Sequence, residues 1–173
     1  GNHDLRGSWK AQIEYTRQNP RWRMPDVHYS FQAGPVYFHA INTACTMCSL
    51  WTIFKQPKPV PWKVIFGHRP YVTTGRHRGM VPLERWLIER SKAQFVFSGH
   101  NHILEHVQHK GIDQIISGAG GNPIHSIREE ENLARKFFLQ DFGYVWGHFK
   151  ATEANFLFFN GQGEEVYQFT RFL

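Results

Sequence analysis

Long apolar runs are missing from this 173-residue sequence. No stretch of 18 or more apolar residues occurs, which excludes a membrane-crossing helix. Cysteine is scarce, with Cys45 and Cys48 alone, spaced C-x-x-C. Lacking a second such pair, they make half a zinc site at best, and no thioredoxin-like βαβ pattern surrounds them. The simpler reading is two buried or loop thiols; the alternative is a disulfide, which needs an oxidising compartment. Repeats and low-complexity segments are also absent, so the chain reads as one unit. No block of five or more Lys or Arg appears, so a nucleic-acid partner is not expected despite a formal charge of +6. Scattered positive charge still steers anions in general. The first residues, Gly1-Asn2-His3-Asp4, are neither an initiator Met nor a signal peptide. A processed chain or a fragment is expected.

Aromatic residues, by contrast, make up 16% of the chain, a content that suits a sheet-rich interior. Ser8 can cap a helix from Trp9 that carries Ile13 at helical spacing and ends by Pro20. Pro35 precedes a strand over Val36 to Asn42. The stretch from Thr43 to Pro61 is ambiguous and closes in a Pro-rich loop. Lys63 to Phe66, Gln94 to Phe97 and Asp113 to Ile116 are short apolar runs of the buried-strand kind. Between the first two, Pro82 opens an amphipathic helix with Leu83, Trp86 and Leu87. Strand, helix and strand in that order predict a crossover unit, with ligands gathering beyond the carboxyl ends of the strands. Tyr144 to Phe149, Asn155 to Phe159 and Val166 to Phe172, around an Asn160-Gly161 turn, predict antiparallel strands. The expected class is α/β with a β-rich end.

Each of the three buried runs is halted where such a crevice would lie. The stops are Gly67-His68-Arg69-Pro70, Ser98-Gly99-His100-Asn101-His102 and Ser117-Gly118-Ala119-Gly120-Gly121. Glycine permits a tight turn and close backbone approach, so an imidazole beside it projects from a rigid support. Imidazoles gathered this way suit zinc, iron, manganese or nickel. A lone His-x-His is weak evidence in a chain with 11 His, but three such strand ends together are not.

Gly1-Asn2-His3-Asp4, Gly67-His68-Arg69-Pro70 and Gly99-His100-Asn101-His102 resemble the last three motifs of the calcineurin-like metallophosphoesterases, G-N-H-[DE], G-H-x-P and G-H-x-H. Order and strand context agree as well. Ala11-Gln12-Ile13, Arg21-Trp22 with Pro25 and Tyr29, and Ser117-Gly118-Ala119-Gly120 are similar to the tartrate-resistant purple acid phosphatase branch. The resemblance implies part of a metallophosphoesterase β-sandwich flanked by helices, with residues 1–173 forming the C-terminal half of one domain. The family's upstream D-x-[GH] and G-D-x-x-[DNY] motifs are not in this sequence.

By the same resemblance, Asn2, His68 and His100 would bind a divalent ion (Fe, Zn or Mn), and His102 would bind Fe(III). His3, partnered by Asp4, would be the proton donor, and His77 would assist at the phosphate or the leaving group. The implied reaction is phosphate monoester hydrolysis by the parent protein, secreted or extracytoplasmic, while the chain alone would be inactive. A phosphodiesterase or nucleotidase of the same superfamily, or a non-catalytic relative, is the alternative.

Overall fold

The computed structural model describes residues 1–3, 7–45, 51–54, 59–128 and 134–173. Two sheets form a sandwich. The larger has seven strands in the order β1-β2-β3-β4-β6-β5-β7, and the smaller has three in the order β10-β9-β8. The strands are β1 (Tyr29–Ala33), β2 (Val36–Ala40), β3 (Trp62–Phe66), β4 (Phe95–Ser98), β5 (Leu104–His109), β6 (Ile112–Ser117), β7 (Ala134–Leu139), β8 (Gly143–Phe149), β9 (Glu153–Asn160) and β10 (Glu165–Phe172). Helix α1 spans Trp9–Tyr15 and helix α2 spans Pro82–Arg90, and a 3-10 turn covers Trp51–Phe54.

The middle of the large sheet is a parallel run, β2-β3-β4-β6. Its strands read as near-continuous apolar segments because both faces are covered. Alternation divides each one: Ile65 and Val96 enter a core with Tyr71 and Ile88 of α2, whereas Trp62, Val64 and Phe95 enter a second core with Phe156 and Phe158 of β9. The second core is built of aromatic rings, with Phe95 and Phe156 centred 5.0 Å apart. Trp62 Nε1 donates to the Lys150 carbonyl at 2.6 Å, tying the two sheets together.

The expected crossover is present: β3, α2 and β4 follow one another, and the two strands pair in parallel. Pro82 stands at the start of α2, where its missing N–H costs nothing, and the Glu84 carboxylate accepts from the Val81 N–H at 3.0 Å. The antiparallel tail is also as expected.

Helix α1 ends at Tyr15, short of Pro20, and none of its residues is buried. Strand β2 ends at Ala40, two residues earlier than read. Three strands were not anticipated: β1, β5 and β7. Strand β5 lies between the runs read as consecutive and folds back antiparallel on β6. Lys110 and Gly111 close that hairpin with φ of 47° and 77°, the left-handed pair a two-residue hairpin turn requires. Cys45 is disulfide-bonded, so the reading of two thiols is corrected for it. Cys48 lies outside the described residues, as does much of the ambiguous stretch from 43 to 61.

Candidate metal centre

Three neighbouring parallel strands, β3, β4 and β6, run side by side and therefore end at one edge of the sheet. The loops that follow them carry the glycines and histidines named above. Gly67 N–H donates to the Phe97 carbonyl at 3.0 Å, and Gly99 N–H donates to the His68 carbonyl at 3.2 Å, so the His68 and His100 turns are stitched together. Gly118 packs directly against the Asn101 carbonyl, an approach no Cβ would allow. His100 itself sits in the left-handed region with φ of 65°, a costly conformation for a residue with a side chain.

At this edge three donor atoms converge. His68 Nε2 lies 2.7 Å from Asn2 Oδ1 and 3.0 Å from His100 Nδ1. A single ring proton cannot serve both neighbours, so the cluster gathers more lone pairs than protons. That donor set fits a borderline cation, for which nitrogen and oxygen ligands at about 2.0–2.2 Å are usual. Among the described residues no three His, Cys, Asp or Glu side chains group as a metal site. The third donor here is an amide oxygen.

His102 stands apart from this trio. Its Nδ1 lies 2.9 Å from the Pro123 carbonyl, which fixes the proton on Nδ1 and leaves the Nε2 lone pair available. A backbone carbonyl holding the remote ring nitrogen is the usual support of a metal-bound imidazole. His102 alone does not make a second cation site, and Asp4 lies outside the described residues.

A cleft of about 480 Å³ opens over the cluster, lined by Asn2, His68, His77, His100, His102 and His125. His3 lines it as well. Thus all the sequence-read candidates that the structure describes share one cavity. His77 is placed by buried Asn101, whose Oδ1 accepts from the His77 N–H at 2.8 Å and whose Nδ2 donates to the His77 carbonyl at 2.9 Å. Behind it, the buried Glu105 carboxylate accepts from Thr73 Oγ1 at 2.6 Å and from the Thr74 N–H at 2.9 Å. Asn101 also donates to Thr73 Oγ1 at 3.2 Å, so the network runs from sheet to loop without a break.

His125 was not anticipated. It stacks on His102 with ring centroids 3.8 Å apart, and its ring is 4.8 Å from that of His77. Gly120-Gly121-Asn122-Pro123 signals a loop rather than a side chain of interest, and no motif marks His125. Only the fold brings it to the cleft.

Burial and neighbouring charge favour the neutral imidazole at three of these rings, His77, His100 and His125. Burial, then the charges of His68, His77, Arg69 and His125, push the His100 imidazole down to about 4. Burial, Arg76 and His102 lower His77 below the usual histidine value, and burial, His102 and His77 do the same to His125. Neutral imidazole is the form that ligates a metal.

Comparisons with known proteins identify the family. The family model described as Calcineurin-like phosphoesterase matches residues 1–104, and the chain belongs to that family. It is similar to purple acid phosphatase 7 of Arabidopsis thaliana, with 22% identity over 97% of this chain and 61% of that protein. It is similar also to tartrate-resistant acid phosphatase type 5 of Rattus norvegicus, with 22% identity over 83% of this chain and 54% of that protein. The chain therefore spans a little over half the length of these relatives. Among solved structures, GAP50, described as the anchor in the inner membrane complex of Plasmodium, superposes with a TM-score of 0.79. That match has 18% identity and covers 100% of this chain and 64% of GAP50. The purple acid phosphatase PPD1 of yellow lupin superposes with a TM-score of 0.67 at 17% identity, covering 83% of this chain and 32% of that one. These two likenesses are of fold.

Proposed function

We propose that the chain supplies the C-terminal half of a binuclear metallophosphatase domain that hydrolyses phosphate monoesters. The observation that carries this reading is the convergence of Asn2 Oδ1, His68 Nε2 and His100 Nδ1 within hydrogen-bonding distance at the end of three parallel strands. In it, Asn2, His68 and His100 hold a divalent ion (Fe, Zn or Mn), and His102 holds Fe(III) together with ligands from outside these residues. Bound there, two cations supply an activated water and neutralise charge on the phosphoryl oxygens.

The chain's own residues do the rest. His3 lines the cleft beside Asn2 and passes a proton to the departing alkoxide oxygen. Asp4, which lies outside the described residues, is the partner of His3 in this reading. His77, fixed through its backbone by Asn101, faces the same cleft and holds the phosphate or its leaving group. Rigid support of this kind makes orientation effective, because little freedom is left to lose on binding.

A disulfide at Cys45 supports a secreted or otherwise extracytoplasmic site for the protein. Among the described residues, no helix is long and apolar enough to cross a membrane. The half-domain by itself lacks the bridging carboxylate this mechanism uses, so the isolated chain is inactive in this reading.

The test is a panel of phosphomonoesters, phosphodiesters and nucleotides with the full-length protein, alongside metal analysis. Monoester turnover with two bound metals is expected. Preference for diesters or nucleotides would move the protein to another activity of the superfamily. A metal-free, inert full-length protein would refute the reading.

A further inference from the structure

His125 has no task in the proposed mechanism, yet both its backbone and its ring are held in place. Its N–H donates to the His102 carbonyl at 3.2 Å, and its own carbonyl accepts from Gln140 Nε2 at 2.9 Å. Its ring is pinned as well. The His102 backbone N–H, which can only donate, points at His125 Nδ1 at 3.2 Å. Nδ1 must therefore be the accepting nitrogen, and in the neutral ring the proton sits on Nε2.

This tautomer decides between two roles. To bind a metal through Nε2, the ring would have to move its proton to Nδ1, against the His102 N–H, leaving two donors face to face. A hydrogen-bond donor needs no such rearrangement. The surroundings name the ligand class. The cleft is lined by His77, His102 and the Asn2 cluster, and no carboxylate among the described residues lines it. Arg76 lies close enough to act on the His77 and His125 rings. With Arg76 beside it and no carboxylate among the described residues of its lining, the cleft takes an anion.

We infer that His125 is a substrate-binding residue, donating its Nε2–H to a non-bridging oxygen of a phosphate group held in the cleft. The assignment rests on the phosphatase reading and adds one specific contact to it. His125 is the neutral donor that orients the phosphate, and the stacked His102 ring keeps it in plane.

The experiment uses the full-length protein, inorganic phosphate as the probe, and the variants His125→Phe and His125→Gln. Phenylalanine keeps the ring stack and removes the donor. Glutamine restores a donor near the Nε2 position. Calorimetric phosphate binding and metal content are measured for all three proteins. With His125→Phe the phosphate Kd should rise by about tenfold or more, as expected for loss of a hydrogen bond to a charged group, with metal content unchanged. With His125→Gln part of the affinity should return. A phosphate Kd within about twofold of the parent in both variants, or loss of metal in His125→Phe, overturns the assignment.

Nitrogen-15 spectra of the unsubstituted zinc form give a reading that needs no variant. The Nε2–H tautomer of His125, shifted by added phosphate, is expected, and an Nδ1–H tautomer or an indifferent signal overturns it. If the unsubstituted protein binds no phosphate at all, the phosphatase reading fails first and this contact fails with it.

Discussion

Asn101 grips His77 at both ends of its peptide, accepting from its N–H at 2.8 Å and donating to its carbonyl at 2.9 Å. The two residues belong to different loops, one after β4 and one before α2, and this pair of bonds sets their spacing. Asn101 is fully buried and His77 partly so, which limits the water that could replace these bonds. Replacing it with leucine, of similar volume, leaves the His77 N–H and carbonyl unmatched. We expect a stability loss of about 2 kcal/mol, measured by urea unfolding. The full-length protein should lose turnover as well, because His77 is no longer held. Unchanged stability and unchanged kcat would show that the grip does nothing.

His39 predicts a pH dependence of stability. It is fully buried on β2, its Nδ1 is 2.8 Å from Ser30 Oγ, and its Nε2 has no partner. Burial first, and the nearby Lys63 charge second, push its pKa down to about 4 from 6.5. Between those values the unfolded chain binds more protons than the folded one, so stability is lost as pH falls through the window. The loss amounts to on the order of 3 kcal/mol. His39→Leu should reduce this slope, leaving the share of His100, whose imidazole is lowered over the same window, and leaving the lower limb. That limb belongs to Asp113, where burial alone would raise the carboxyl but hydrogen bonds from His106 and Arg171 hold it below its ordinary 3.8. Its contribution is present above the ordinary value and fades below it. A variant with the same slope between pH 6.5 and 4 would count against His39.

Cys45 supplies a chemical test of compartment and fold. The folded protein should show no alkylation at Cys45 without reductant, and modification once reductant is added, read by peptide mass. Ready labelling of Cys45 in the unreduced protein would contradict the disulfide.

The roles proposed for His3 and His68 separate in one comparison. His3→Ala should lower kcat by about 10²-fold or more while metal content is kept, as for loss of a general acid. His68→Ala should lose metal and activity together. Parallel loss of metal in both variants would make His3 a ligand and remove it as the proton donor.

The parts of this fold that announce themselves in sequence do so for physical reasons. Lys63 to Phe66, Gln94 to Phe97 and Asp113 to Ile116 are legible because strands covered on both faces need unbroken apolar runs. Pro82 marks a helix start, and Asn160-Gly161 marks a turn. Strand β5 was missed because Glu105, His106 and Gln108 look polar, yet Glu105 and His106 are buried by partners that only the tertiary structure supplies: Thr73, Thr74, Asp113 and Tyr167. Strands β1 and β7 are edges with exposed residues and weak patterning. At the site, His68 and His100 were legible because each follows a glycine at a strand end, and His102 because it stands two residues beyond His100 in the same loop. His125 was not, since its place depends on a loop folding back onto His102.

The central claim is that Asn2, His68 and His100 bind a cation as one unit, and cobalt titration tests it most directly. Full-length protein stripped of metal should develop visible ligand-field absorption as Co(II) is added. That signal should vanish in His68→Ala and His100→Ala, weaken in Asn2→Ala and persist in His3→Ala. A cobalt signal of equal strength in His68→Ala, or no binding by the unsubstituted protein, would contradict the account.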